Sequence, residues 1–371
     1  MIDLFMPFRS FLKFENVCTD NNVFRMHYKF TVIILLVFTL LVTTKQFFGE
    51  PIHCMSESET EVDKDAINSY CWIYGTYTLK SRLVGVEGKH MAYPGIGPNK
   101  SINDEQIRHT YYQWVCFVLL GQAVMFYTPR YLWKMWEGGR LKALASDLAN
   151  PMVTKDWSEY RRGELVSYLS YTNLYTHNMY ALRYAFCEVL NLINVVGQIF
   201  LLDLFLGGAF RNYGAAVAAF THIPRVPTNF VDFSSVNPMD QFFPKLTKCW
   251  FRIYGPSGTL QLKDRLCVLP LNIVNEKIFI ILWFWLIFLT LLSTAAVFFR
   301  ILVFCLPPLR TYMIMGQLRH VKRRTVSKIV KNIGFGDWFI VYLLGKNMNP
   351  IIYKDLILEL SKELGNKPVT V

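Results

Sequence analysis

Charged side chains are scarce in this sequence, and the residue patterns of most enzymes are missing from it. Asp, Glu, Lys and Arg make up 18% of its 371 residues, whereas a soluble domain has about a quarter. Its seven histidines are scattered, and it contains neither an HExxH motif nor a CxxC pair. The run 85–90 lacks the P-loop spacing, and residues 255–258 fall one residue short of a GxSxG elbow. We therefore expect no catalytic residues, no metal site and no cofactor.

Long apolar runs are present instead. A transmembrane helix needs about 20 mainly apolar residues. Ile278–Leu306 and Tyr111–Tyr131 meet that length, and Leu182–Leu206 meets it although it carries three charged residues. Phe30–Thr44 is shorter, but lysines flank it, and their aliphatic stems can reach the membrane interface. The sequence therefore predicts a mainly α membrane protein with four transmembrane helices.

The charge distribution predicts which side of the membrane each segment occupies. Lys and Arg outnumber Asp and Glu after the last apolar run, whereas acids outnumber bases in the loop after the first run. The positive-inside rule then places both termini in the cytoplasm. The first 29 residues lack a signal-peptide pattern, so the first span is expected to act as an uncleaved anchor. The predicted segments are 1–29 cytoplasmic, 30–46 span one, 47–109 outer loop one, 110–131 span two, 132–180 cytoplasmic loop, 181–206 span three, 207–276 outer loop two, 277–306 span four and 307–371 cytoplasmic tail.

Four cysteines support the same topology. Cys54 and Cys71 fall in the first outer loop, and Cys249 and Cys267 fall in the second. Disulfides persist only in an oxidising compartment, which would be outside the cell. Four cysteines allow three connectivities, and their spacing leaves all three open. We expect a disulfide-stapled extracellular domain with some short strands.

Local patterns predict secondary structure outside the spans. Aromatic residues and threonines make Asn68–Leu79 a predicted strand. Apolar residues at three- and four-residue spacing predict cytoplasmic helices over Trp136–Leu148, Ser158–Asn178 and Ile351–Leu364. These helices are expected to form a cytoplasmic cap.

Polar residues inside the spans allow two interpretations. Asn191, Asn194 and Gln198 fall within about 60° of one another on a helix, and Glu188 precedes them. They either form hydrogen bonds between helices, which is favoured, or line an aqueous path. Pro129 either ends span two, which is favoured, or kinks it as a hinge.

Two surface features carry functional alternatives. A basic cluster follows the last span and either binds anionic lipid of the inner leaflet or is a solvated helix face, the favoured interpretation. Asn99 begins an N-x-S sequon in the first outer loop, and a glycan there would hinder docking of the outer face with another cell. The cluster consists of Arg319, Lys322, Arg323, Arg324, Lys328 and Lys331.

The pentapeptide Tyr111, Tyr112, Gln113, Trp114 and Val115, which opens span two, resembles the signature of the innexin family. Further resemblance follows in order along nearly the whole chain. The matching stretches are 22–28, 71–73, 129–134 (which begins with Pro129), 136–139, 267–272, 275–278 and 336–339.

The resemblance implies a channel subunit that self-associates into a ring and docks with an apposed channel of the same or a related subunit. It implies passive passage of ions and small solutes through a gap junction in the plasma membrane, at cell–cell junctions. It also implies the pairs Cys54–Cys267 and Cys71–Cys249. The expected pore-lining residues are Ile2, Asp3, Phe5 and Met6 at the constriction, and Phe47 and Glu50 at the outer vestibule.

Two other functions remain open from the sequence. An undocked hemichannel would release small metabolites, and a glycan at Asn99 would favour it. A non-conducting four-span adhesion protein would bind a partner through its outer loops but pass no current. Membrane lipid is an expected partner in every case, and nucleic acid is not, because the net charge of +12 follows the membrane topology.

Overall fold

The computed structural model describes residues 17–55, 61–83, 93–98, 105–145, 148, 155–171, 174–222, 237–318 and 321–366. Within these residues the chain is mainly helical, with one five-stranded sheet. The helices are α1 Asn22–Phe47, α2 Glu61–Tyr74, α3 Val115–Glu137, α4 Arg140–Ala145, α5 Lys155–Tyr171, α6 Leu174–Phe205, α7 Phe210–His222, α8 Pro238–Phe242, α9 Pro270–Cys305, α10 Pro307–Met315, α11 Arg323–Asn332, α12 Phe335–Asn347 and α13 Pro350–Asn366. The strands are β1 His53–Cys54, β2 Thr76–Leu79, β3 Gln106–His109, β4 Leu246–Tyr254 and β5 Leu260–Val268.

Four of these helices are long and apolar enough to cross a membrane, as the sequence predicts. They are α1, α3, the part of α6 from Thr176 to Phe205, and α9. Three of the four begin earlier than the predicted spans, because helical hydrogen bonding continues into residues too polar for the hydrocarbon core. A π-helical segment, Met26–Thr31, interrupts the α-helical hydrogen bonding near the start of α1.

The chain divides into two compact units. The first comprises residues 1–32, 125–194 and 289–371, and the second comprises residues 33–124 and 195–288. Both predicted outer loops fall within the second unit, and the predicted cytoplasmic segments fall within the first.

The first unit has an aromatic core built by helices from distant parts of the chain. Trp133 of α3, Tyr184 of α6 and Phe339 of α12 are buried together, and the Trp133 and Tyr184 ring centroids are 4.9 Å apart. The Tyr184 and Phe339 centroids are 5.1 Å apart. Helices α4, α5, α10, α11 and α13 also belong to this unit, with α11 packed against α10 and α13.

Two predicted cytoplasmic helices are interrupted in the structure. The helix predicted over 136–148 is split after Glu137, where Gly138 and Gly139 adopt positive φ values of 59° and 77°. Residues with a Cβ rarely adopt that conformation, so a glycine pair ends α3 and allows α4 to start in a new direction. The helix predicted over 158–178 is divided between α5 and α6. The third prediction, 351–364, lies within α13.

The second unit is organised around an antiparallel sheet with the strand order β1-β5-β4-β2-β3. Strands β4 and β5 form a hairpin in which Leu246 pairs with Val268 and Tyr254 pairs with Leu260. Gly258, at φ 75°, provides the positive φ in the turn. The sheet therefore combines strands from both predicted outer loops.

The predicted strand over Asn68–Leu79 is wrong in its first part. Residues up to Tyr74 belong to α2, and only Thr76–Leu79 forms a strand. Ile67 and Cys71, one helical turn apart, are the buried residues of α2, so tertiary packing outweighs the β propensity of the aromatic residues. Gly75, at φ 84°, ends the helix.

Candidate functional site

The two predicted outer loops are joined by two disulfides. Cys54 of β1 is the direct cross-strand neighbour of Cys267 in β5, and their Cα atoms are 4.0 Å apart. Cys71 of α2 is bonded to Cys249 of β4, with Cα atoms 5.8 Å apart. All four side chains are buried. These are the pairs that the family resemblance implies, out of the three connectivities that the spacing leaves open.

Three of the same cysteines form the group of closely spaced metal-type ligands that is found among the described residues. Within that part of the chain, the group of close metal-type ligands consists of Cys54, Cys71 and Cys267, whose sulfurs are all in the disulfides. The other cysteines, Cys18, Cys116, Cys187 and Cys305, are free thiols.

The pentapeptide Tyr111–Val115 packs the start of α3 against α8 and α2. The Tyr111 hydroxyl donates to the backbone carbonyl of Phe242 at 3.2 Å. The Gln113 amide donates to the backbone carbonyl of Trp72. The Trp72 and Tyr112 rings are 4.6 Å apart, and Tyr112 is fully buried. These residues therefore act as packing residues of the second unit.

A buried histidine lies on the β3 edge of the same sheet. The Nε2 atom of His109 is 2.9 Å from the hydroxyl of Thr78 on β2. Burial lowers the pKa of His109 to about 4 from its ordinary value of 6.5, because the charged imidazolium would lose its hydration. The edge strand β3 therefore carries a buried histidine that is neutral at physiological pH.

The far end of the β4–β5 hairpin exposes apolar side chains. Tyr254 is 78% exposed, and Leu260 and Leu262 are 61% and 53% exposed. We name Tyr254, Leu260 and Leu262 the hairpin tip. Exposed apolar side chains that lie together are typical of interaction surfaces.

The predicted pore-lining residues are only partly within the described chain. Phe47, at the end of α1, is exposed. The Glu50 carboxylate lies 2.8 Å from Nδ1 of His53, and both side chains are at least half exposed. Ile2, Asp3, Phe5 and Met6 lie outside the described residues, as does Asn99.

The polar side chains of α6 point towards other helices of the first unit. Glu188 accepts two hydrogen bonds from the Arg300 guanidinium of α9, at 2.7 Å and 2.9 Å. It also accepts one at 2.7 Å from the side chain of Asn21, which caps α1. Asn191 is buried next to Glu188 in the lining of a small cavity that His27 and Ser293 share. Glu188 is therefore bonded to neighbouring helices, whereas the buried side-chain amide of Asn191 has no hydrogen-bond partner among the described residues.

The structure also corrects the favoured interpretation of Pro129. Helix α3 continues through Pro129 to Glu137, so the proline does not end the helix. A proline has no N–H to donate to the carbonyl four residues earlier, here that of Met125. The Asn194 amide of α6 donates to that carbonyl at 3.3 Å. A neighbouring helix therefore supplies the hydrogen bond that the proline cannot make.

Sequence reasoning identified Glu188 and Asn194 but missed their partners. Arg300 is the charge that interrupts the last apolar run, and Glu188 is an opposite charge within another predicted span. Two opposite charges inside spans indicate an ion pair, so this pairing could have been proposed. Met125 could have been found by counting four residues back from Pro129.

Comparison with known proteins identifies one family. The innexin family model matches residues 20–364. The chain is 48% identical over 365 residues to innexin inx2 of Drosophila melanogaster, covering 98% of this chain and 96% of the relative. It is 47% identical over 369 residues to innexin inx2 of Schistocerca americana, covering 100% of both chains. It is 42% identical over 366 residues to innexin shaking-B of Drosophila melanogaster, covering 99% of this chain and 96% of the relative.

Proposed function

The chain belongs to the innexin family, whose members form gap-junction channels and hemichannels, and we propose how its two units carry out that function. The observation that carries the proposal is the sheet of the second unit, which unites both outer loops and staples them with two disulfides. A rigid outer domain of this kind suits a channel subunit that must meet another channel across an extracellular gap.

The two loops that carry the disulfides are proposed to be extracellular, and the termini and the loop 132–180 to be cytoplasmic. Disulfides need an oxidising compartment, and both pairs lie in the second unit. The predominance of Lys and Arg in the tail, which belongs to the first unit, fits a cytoplasmic position. Both termini then lie inside the cell.

Subunits are proposed to assemble as a ring around a central aqueous pore. Ions and small solutes would cross it by diffusion, with selectivity from the pore radius and from charged side chains. The family resemblance assigns Ile2, Asp3, Phe5 and Met6 to the constriction. It assigns Phe47 and Glu50 to the outer vestibule, and the exposure of Phe47 and Glu50 is compatible with that role.

The hairpin tip is proposed to contribute to docking with an apposed channel. Its three apolar side chains would lose contact with water when a partner of the same or a related subunit covers them. At about 25 cal/mol per Å² of apolar surface, such burial favours association. Repetition of the contact around the ring would multiply the effect.

Paired-cell electrical recording tests this function. Two cells without junctions of their own would each express this chain alone. We expect current between the cells, together with a membrane current in single cells from undocked channels. Membrane current without junctional current, with the protein at both surfaces, would favour a hemichannel. Absence of both currents would favour a non-conducting adhesion protein.

Cys54→Ser tests the outer domain. The change opens the bond that joins β1 to β5, and loss of a disulfide from a small extracellular domain typically costs about 2–5 kcal/mol. We expect junctional current to be abolished. Cys305→Ser, at an exposed free thiol, is the matched control. Normal junctional current from Cys54→Ser would contradict the proposed role of the disulfide.

A further inference from the structure

Helix α11 has two chemically distinct faces. Val326, Ile329 and Val330 are buried against the rest of the first unit, where α11 packs on α10 and α13. The exposed side chains of Arg324, Lys328 and Lys331 fall within about 60° of one another at 100° per residue, opposite the buried face. Lys322 and Arg323 are also exposed and add charge at the start of the helix, although Arg323 lies about 110° round the helix from the centre of that group. We name these five cations the basic face.

The cations of the basic face are not neutralised by the protein. In the described part of the chain, none of them has a carboxylate within 4.0 Å. On α13, which packs against α11, Asp355 and Glu359 lie 3.5 Å and 2.7 Å from the guanidinium of Arg162 instead. The charge of the basic face is therefore available to a ligand.

Two of these cations oppose the stability of the helix, whereas Lys331, in the last turn, favours it. Arg323 and Arg324 occupy the first turn, where the helix dipole disfavours cations, and that turn contains no acidic residue. Lys322, the N-cap residue, makes no side-chain capping bond. Where a local sequence opposes the stability of its own element, a functional reason is the expected explanation.

The position of the basic face restricts which kinds of partner can bind it. The apolar side of α11 is already buried, so a protein with a groove for amphipathic helices cannot enclose this helix. Helix α10, on which it packs, starts at Pro307, directly after the last spanning helix ends at Cys305. On α10, Tyr312 is 76% exposed, and tyrosine is typical of the membrane interface. The surface therefore belongs to a juxtamembrane layer.

We propose that the basic face binds the phosphate groups of anionic phospholipids in the inner leaflet, with phosphoinositides as the class that offers the most charge. The inference rests on the proposed cytoplasmic position of the tail, residues 307–371. The attraction is electrostatic and acts over roughly a Debye length, about 10 Å at moderate salt. The lipid would hold α11, and through it α10 and α13, against the membrane.

Binding can be measured on the full chain in phosphatidylcholine nanodiscs, with fluorescent dioctanoyl phosphatidylinositol 4,5-bisphosphate as the probe and empty nanodiscs as background. We expect saturable binding that weakens as salt is raised. Each cation near a membrane surface contributes about fivefold in affinity, or about 1 kcal/mol. The variant Arg323→Gln/Arg324→Gln/Lys328→Gln/Lys331→Gln removes four cations and should therefore lose roughly 600-fold in affinity.

Three controls make the result specific. Lys328→Arg/Lys331→Arg keeps the charge and should bind like the unaltered chain. Arg140→Gln/Lys142→Gln/Lys362→Gln removes exposed cations from other helices of the first unit and should change affinity less than twofold, on the order of a fraction of 1 kcal/mol. Thermal unfolding of the four-residue variant should be nearly unchanged, because loss of two cations from the first turn favours the helix dipole and loss of Lys331 from the last turn opposes it.

Equal binding by the four-residue variant, or an equal loss in the control triple variant, would overturn the proposal. Tighter binding of free inositol 1,4,5-trisphosphate than of the lipid would also overturn it, in favour of a soluble phosphate ligand. Both faces of a nanodisc are open to the probe, and no current is measured. A failure here is therefore distinguishable from a failure of the junctional recording.

Discussion

Removal of the Glu188 carboxylate should destabilise the first unit more than removal of any exposed acid. Its side chain is 5% exposed, and that of its partner Arg300 is 16% exposed. In the unaltered chain, two short hydrogen bonds join the Arg300 guanidinium to the Glu188 carboxylate. Glu188→Ala removes both bonds and leaves the guanidinium without its counter-ion. Breaking a buried pair from one side typically costs about 3–5 kcal/mol. We expect the free energy of unfolding to fall by about 3 kcal/mol, since Arg300 also lies over the Tyr184 ring, which retains part of its interaction.

The assay is equilibrium unfolding of the purified protein followed by tryptophan fluorescence, because Trp133 belongs to the same core. Glu164→Gln is the matched control: it removes an acid from the exposed Arg161–Glu164 pair and should leave the free energy of unfolding nearly unchanged, because water screens such a pair. Glu188→Leu/Arg300→Met should recover most of the loss, since no charge is left unpaired. The reasoning is refuted if Glu188→Ala costs no more than Glu164→Gln, or if the double variant is as unstable as the single one.

Three further outcomes follow from other contacts. Burial lowers the pKa of His109 to about 4, so as pH falls from about 6.5 the unfolded chain takes up a proton that the folded chain does not. The free energy of unfolding of the second unit should therefore drop by up to about 3 kcal/mol by pH 4. His109→Gln should remove this pH dependence of unfolding, and an unchanged slope in the variant would contradict the assignment. Asn194→Val should cost about 1 kcal/mol of stability, because the Met125 carbonyl loses its donor. The cost should be smaller in a Pro129→Ala background, where the backbone N–H of residue 129 can donate to that carbonyl. Equal costs in the two backgrounds would show that Asn194 does not compensate for the proline. Gly336→Ala would press a Cβ into the α6 backbone at His177 and should cost about 3 kcal/mol, whereas Gly163→Ala, with open space around it, should be neutral or stabilising; thermal unfolding of both variants decides.

The spans were predictable because the membrane imposes a single rule on composition. An apolar run of about 20 residues seldom occurs outside a membrane span, so Ile278–Leu306 was found directly. The ends of the helices were not predictable to the same degree. Pro270 begins α9 eight residues before that run, since a helix extends into polar surroundings wherever packing supports it.

Local propensity failed where a tertiary bond decides the conformation. Tyr70 and Trp72 favour a strand, yet both belong to α2, in which Cys71 is bonded to a strand of the other loop. A disulfide partner 178 residues away leaves no trace in a local pattern.

The partners of the buried polar residues could not be predicted from local patterns for the same reason, because they lie far away in the sequence. Glu188 and Arg300 are 112 residues apart, and neither residue's surroundings in the sequence specify the other. What the sequence did indicate is that each must have a partner, because an unpaired charge in a span is costly. The pairing itself depends on how α6 and α9 pack.

Docking through the hairpin tip is the part of the account that distinguishes a gap junction from an undocked channel most directly. The decisive measurement is paired-cell recording of the variant Tyr254→Ser/Leu260→Ser/Leu262→Ser beside the unaltered chain. All three residues are exposed, so the fold of the sheet should be preserved. We expect the variant to lose junctional current while keeping its single-cell membrane current and its amount at the surface. Junctional current equal to that of the unaltered chain would contradict the proposed docking surface.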